Sequence, residues 1–120
     1  MNKRIKDRWI AALRSRKYKQ CKGVLHDDNG YCCLGVLCDL HSKSKQGKEF
    51  GLKFEFKNGS YGIKYYYDNN VGILPEVVKE WAGLDDTDPI LSEKLEKSAS
   101  DLNDSGKKFH EIADFIERNL

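Results

Sequence analysis

Ile5, Trp9, Ala12 and Leu13 fall on one helical face with charged residues between them, so residues Asn2 to Arg16 are expected to form an amphipathic helix. Trp9 is its expected core anchor. The pattern then shortens: Gly23-Val24-Leu25-His26 reads as a strand and Tyr31-Cys32 as its return. Between them, Asp27-Asp28-Asn29-Gly30 is a turn signal, because Asn-Gly accepts the positive φ that tight hairpins require. From Cys33 the helical period resumes, with Cys33, Leu34, Leu37, Cys38 and Leu40 on one side of a helix reaching about Ser42. Gly35 lies inside it. Glycine there costs about 1 kcal/mol relative to alanine, so its presence implies close approach by another backbone.

Further along, Ser42 to Lys48 has no apolar period and reads as a mobile polar loop. Leu52 to Phe56 and Ile63 to Tyr67 are aromatic and alternating, and Asn58-Gly59 marks the turn of a second hairpin. Pro75 and Glu76 suit the first turn of a helix that ends at Gly83 and buries Val77, Val78, Trp81 and Leu84. Ser92 is the expected cap of a helix holding Leu95, Ala99 and Leu102. Asp104 or Ser105 is the expected cap of a last helix with the stripe Phe109, Ile112, Ala113, Ile116 and Leu120. This order predicts an α+β fold: a single small domain over residues 1–120, with helices packed on short antiparallel β-hairpins.

Charge changes the picture more than composition does. Residues 1–60 carry 14 basic and 6 acidic side chains, and residues 61–120 carry 7 and 13. Nine of the basic residues precede Gly23. Such a patch attracts phosphates or an acidic partner surface, unless the chain's own acidic half neutralises it. No apolar run approaches the roughly 20 residues of a membrane span, and an amphipathic segment rather than a signal-peptide core follows Met1 to Lys6, so a cytoplasmic location is expected. The four cysteines are then expected to stay as free thiols.

The segment Tyr31-Cys32-Cys33-Leu34-Gly35-Val36-Leu37-Cys38 admits three readings. Zinc is disfavoured because Cys21, Cys32, Cys33 and Cys38 lack paired Cys-x-x-Cys spacing. A nucleophile requires Cys32 or Cys33 at the helix N-terminus, with His26, His41 or His110 as base. The preferred reading is core filling, since cysteine is a small and readily buried hydrophobe. The acidic run Asp85 to Asp88 lacks the spacing of a calcium loop. Gly106 to Asn119 resembles the first helix of a helix-turn-helix, but Leu120 follows where a recognition helix would begin, so Phe109 and Ile112 are assigned to the core.

The runs WIAALRSRKYKQCKGVLHDDNGYCCLGVLCDL, GILPEVVKEWAGL and LNDSGKKFHEIADFIERNL resemble a family of small proteins encoded by tailed bacteriophages and prophages. The resemblance covers nearly the whole chain and implies a phage accessory role in the bacterial host, without a chemistry. The expected function is non-catalytic: binding a host factor, or sequestering a nucleotide-derived signal, with no cofactor and no metal. Arg8, Arg14 and Lys17 would meet phosphates, while Tyr18, Tyr31 and Tyr65 would stack on bases. Asn103 and Asp104 join them as polar residues at an inter-helix break. The alternatives are a cysteine-dependent enzyme and a nucleic-acid binder using the basic first helix. The expected partners are a nucleotide-like small molecule or a host protein, with nucleic acid and a homo-oligomer as further options and no membrane.

Overall fold

The computed structural model describes residues 1–59 and 62–120, and the side chains of all residues outside 58–63. In chain order it contains α1 (Lys3–Arg14), β1 (His26–Asp27), β2 (Gly30–Tyr31), α2 (Cys33–Lys43), α3 (Lys45–Phe50), β3 (Phe54–Gly59), β4 (Gly62–Tyr67), α4 (Glu76–Ala82), β5 (Ile90–Ser92), β6 (Lys97–Ser98), α5 (Ala99–Asp104) and α6 (Phe109–Asn119). One sheet has the antiparallel order β2-β1-β4-β3, and β5-β6 form a separate pair. The fold is α+β, as expected.

Helix α2 is the centre of the domain. Residues 32–38 carry no charge, and every one of them is buried. A helix apolar on all sides has to be surrounded, and α1, α3, α4, α5 and β2 pack around this one. Cys32 caps it in an extended conformation, its sulfur accepting from Gly35 N at 3.4 Å. The close approach implied by Gly35 is real: a Cβ at that position would lie 1.8 Å from the carbonyl oxygen of Leu25. Trp9 is fully buried, and its indole Nε1 donates to Cys33 O at 2.9 Å. Thus α1 is fastened to α2 by an apolar face whose one polar atom is satisfied.

Helix α1 begins where Asn2 Oδ1 accepts from Ile5 N at 3.0 Å, and Ile5, Trp9, Ile10 and Leu13 form its buried face. Helix α6 lays Phe109, Ile112, Ala113 and Ile116 along the same core. On the main sheet, Tyr31, His26, Tyr65 and Phe56 are successive cross-strand partners and so lie in one row on one face. Residues 19–21 run beside β2: Tyr31 N donates to Lys19 O and Cys21 N donates to Tyr31 O, each at 2.8 Å. Gly30 makes this approach possible. It sits at φ 153°, and a Cβ there would meet Lys19 O at 2.1 Å.

Several expected boundaries move, each for a local reason. The first hairpin is shorter, with Cys32 serving as the cap of α2 instead of a strand residue. The polar stretch expected as a loop contains α3, because Ser44 Oγ accepts from Gly47 N at 3.1 Å and Gly51 closes the helix in the left-handed conformation. Asn58 and Gly59, expected as the turn, belong to β3 and pair with Ile63 and Gly62; residues 60–61 lie outside the described residues. Ser92 does not start a helix. Its Oγ accepts from Leu95 N at 3.2 Å within a turn, and β6 follows. Ser98 caps α5 instead, in a reciprocal capping box with Asp101. Helix α6 starts after Lys108, whose N–H donates to Glu111 Oε1 at 3.1 Å, so neither Asp104 nor Ser105 is its cap. Within α4, Val78 is buried, whereas Val77 and Trp81 are only partly covered.

Replacing Gly35 with alanine forces α2 away from Leu25 or distorts both. We expect Gly35→Ala to lose about 3 kcal/mol or more in urea unfolding, at the upper end of overpacking costs, whereas Gly51→Ala, with open space around it, loses less.

Candidate functional site

The thiols belong to the most distinctive motif of the chain. Cys32, Cys33 and Cys38 lie within the core, and Cys21 is buried beside it. Burial pushes the Cys32 thiol up to about 11, outweighing the N–H groups of Gly35 and Leu34 that favour its thiolate. Burial likewise raises Cys21 to about 12 and holds Cys33 and Cys38 well above the ordinary value. The helix N-terminus does not activate this sulfur.

The proposed bases are placed elsewhere. His41 is enclosed, with Nδ1 2.6 Å from the Tyr67 hydroxyl and Nε2 2.8 Å from Gln46 Oε1, and burial lowers its pKa. Nε2–H therefore donates to the Gln46 carbonyl oxygen, and Nδ1 accepts from Tyr67. His26 donates Nδ1–H to Gly30 O at 2.6 Å. Among the described residues, no hydrogen bond joins a thiol to an imidazole, and no group of three or more His, Cys, Asp or Glu is placed to hold a metal ion.

The basic end of the chain is different. A groove of about 340 Å³ opens between the end of α1, the segment after it and the start of α6. Arg14, Arg16, Tyr18, Gln20, Phe109 and His110 line it, with Leu13 beneath. A smaller pocket of about 140 Å³, lined by Gln20, Lys22, Gly106 and Lys108, meets it at Gln20. Neither lining contains an acidic side chain. Arg14 is committed to α6, donating to Asp114 at 2.8 Å and Glu117 at 3.1 Å, and these hydrogen bonds raise its pKa. The acidic half therefore neutralises part of the basic patch. Arg16, Lys22 and Lys108 belong to none of the ion pairs among the described residues. Arg16 stands at φ 63°, a left-handed conformation that turns the chain out of α1 and into the groove wall.

The groove is held from below by Asn103, which is fully buried. Its Nδ2 donates to Cys21 O at 2.8 Å, and its Oδ1 accepts from Cys33 N at 3.2 Å and Gln20 Nε2 at 2.9 Å. Gln20 Nε2 also donates to Lys107 O at 2.8 Å. Asp104 Oδ1 accepts from Gly23 N at 2.9 Å. Of the two polar residues expected to face a ligand, Asn103 is buried and Asp104 is exposed. Asn103 is an internal tie, and Asp104 pins the loop at Gly23.

The structure divides the remaining expected residues. Arg14 and Tyr18 reach the groove, but Arg8 and Lys17 are exposed and outside both linings. Tyr18 forms a fixed wall, its hydroxyl donating to Asp39 Oδ2 at 2.5 Å, and burial together with Asp39 raises its pKa. Tyr31 and Tyr65 instead sandwich His26, with ring centroids 3.8 and 4.3 Å away. One face of each tyrosine is thus already occupied. Gln20, Lys22 and Lys108 carry no joint signal in the sequence, because their convergence requires residues 20–22 to meet the α5–α6 junction.

An α+β domain with a buried sulfur-rich helix and an acid-free basic groove is the class that fold and site define. The chain belongs to the family described as a domain of unknown function, DUF8296, whose model matches residues 1–120. Comparison with curated proteins and with solved structures produced no match. Among the described residues, no helix is long and apolar enough to cross a membrane.

Urea unfolding, its pH dependence and thiol alkylation check this arrangement. Asn103→Ala leaves Cys33 N–H and Cys21 C=O without their partner, and at about 1–3 kcal/mol per buried unsatisfied group it should cost about 3 kcal/mol in urea unfolding. Ser98→Ala removes the cap of α5 together with the hydroxyl's hydrogen bond to Asp88 and should cost about 2 kcal/mol. The thiols predict alkaline lability. Folding favours their protonated form, so the stabilisation is complete below the ordinary cysteine pKa of 9.0 and is lost as pH rises through about 11 and about 12. Unfolding midpoints should fall between about pH 8 and about pH 10.5, and native protein near neutral pH should react with iodoacetamide far more slowly than unfolded protein.

Proposed function

We propose that this protein is a non-catalytic accessory factor of phage or prophage origin, acting in the host cytoplasm by binding a phosphate-bearing small ligand of nucleotide type in the basic groove. The observation that carries the reading is the groove itself. Arg16 lines it beside Phe109 and Tyr18, and Lys22 and Lys108 line the smaller pocket that shares Gln20 with it; none of the three cations belongs to an ion pair among the described residues. Cations without a partner favour phosphate, and aromatic walls suit the less polar remainder of a nucleotide. The volume of about 340 Å³ falls at the small end of ligand pockets and suits a mononucleotide-sized occupant. Sequestration needs no nucleophile, and the resemblance to phage proteins supplies the biological setting.

A protein that binds such a ligand is stabilised by it, by about 2.7 kcal/mol when the ligand is at 100 times its Kd. Thermal unfolding with purine nucleotides and inorganic pyrophosphate should show a concentration-dependent rise in Tm. Arg16→Glu should abolish most of that rise without lowering the ligand-free Tm, and the recovered nucleotide should be chemically unchanged. Absence of any shift at millimolar nucleotide would remove the reading. Tight binding of single-stranded oligonucleotides, with affinity collapsing as salt rises and no response to mononucleotides, would favour the nucleic-acid alternative.

A further inference from the structure

The two pockets differ in character, and Gln20 lines both. The larger has aromatic and aliphatic surface from Tyr18, Phe109 and Leu13; the smaller is lined by two lysines, Gly106 and Gln20. The orientation of the Gln20 amide is fixed by its surroundings. Asn103 must direct its Oδ1 toward Cys33 N–H, because its Nδ2 is held by Cys21 O. Gln20 in turn has two acceptors before it, Asn103 Oδ1 at 2.9 Å and Lys107 O at 2.8 Å, and only its NH₂ satisfies both. Both amide protons are thereby consumed. The Gln20 carbonyl oxygen accepts no hydrogen bond among the described residues, so it is the polar atom left for the junction of the pockets.

On the basis of the proposed function, we infer that Gln20 is the specificity-determining residue of the groove: it accepts a hydrogen bond from an N–H or O–H of a nucleoside phosphate whose phosphate lies between Lys22 and Lys108 and whose nucleoside occupies the larger pocket. The buried chain from Cys33 through Asn103 to Gln20 prevents the amide from flipping to offer a donor. An acceptor locked in place rewards ligands that carry a donor and leaves a bare phosphate or pyrophosphate unread. Lys22 and Lys108 attract all phosphates alike; Gln20 distinguishes among them.

The test is isothermal titration of the full chain with AMP and with inorganic pyrophosphate. Gln20→Met removes the acceptor at similar length. It should weaken AMP by about tenfold while leaving pyrophosphate within about twofold, whereas Lys22→Glu should weaken both. Equal effects of Gln20→Met on the two probes, or no effect on either, would overturn the inference while leaving the groove as a phosphate site. If neither probe binds the unaltered protein, the groove reading falls and takes this inference with it. Gln20→Met also loses the hydrogen bonds to Asn103 and Lys107, so circular dichroism checks its fold. If it fails to fold, the unaltered protein is titrated with AMP and with an analogue lacking the exocyclic amine and both ribose hydroxyls. Binding of the analogue about tenfold weaker supports the inference, and equal binding overturns it.

Discussion

The side-chain amide of Asn103 is the interaction on which the other parts of this structure depend. Buried completely, it joins the first N–H of α2, the carbonyl of Cys21 and the amide of Gln20. A buried amide is costly unless satisfied, and this one has partners on both its nitrogen and its oxygen. Because Asn103 and its partners come from three separate stretches of chain, satisfying the amide is the same event as assembling the junction. The polar cost of the core thus becomes a constraint on where α5, the start of α2 and the segment after α1 sit relative to one another.

From that junction the two halves of the molecule take different chemistry. On the inner side, cysteines, glycine and aliphatic residues fill the space around α2, and the Leu25 carbonyl comes so near that only glycine is tolerated at position 35. Sulfur here acts as volume. Its burial disfavours the thiolate, so the position of Cys32 at a helix N-terminus does not translate into reactivity. On the outer side, the same ties hold Gln20 where two concavities meet, one lined by Arg16 and the other by Lys22 and Lys108. A rigid support beneath a groove reduces the ordering that a ligand must impose, and this links the core to the proposed binding role.

The aromatic row on the sheet has a different part. Tyr31 and Tyr65 each stack on His26, Tyr18 meets Tyr31 edge-on at 5.1 Å, and Phe54 meets Tyr67 at 5.1 Å. These rings connect the sheet to the core through the buried Tyr67, whose hydroxyl donates to His41. Residues that look like a base-stacking platform in sequence therefore spend much of their surface on each other. Tyr18 is shared between this cluster and the groove, so the sheet helps to fix one wall of the candidate site.

The α+β class, the amphipathic first and last helices, the Trp9 anchor and the tight contact at Gly35 were legible in the chain itself, because each leaves a local trace: a period, a turn pair, or a glycine where a helix would prefer alanine. Helix α3 and the β5-β6 pair were not. The former depends on the Ser44 and Gly51 caps without an apolar stripe, and the latter is a turn whose sequence also satisfies a helical spacing. The site was half legible. Local charge density pointed to Arg14 but equally to Arg8 and Lys17, and ring content pointed to Tyr18 but equally to Tyr31 and Tyr65, since local composition carries no direction. Only the tertiary structure could turn Asn103 inward, pair Arg14 with α6 and bring Gln20 and Lys22 against Gly106 and Lys108. A groove is a relation between segments about 80 residues apart in sequence, and such relations are set by packing and by the satisfaction of buried polar groups rather than by any pattern within a single segment.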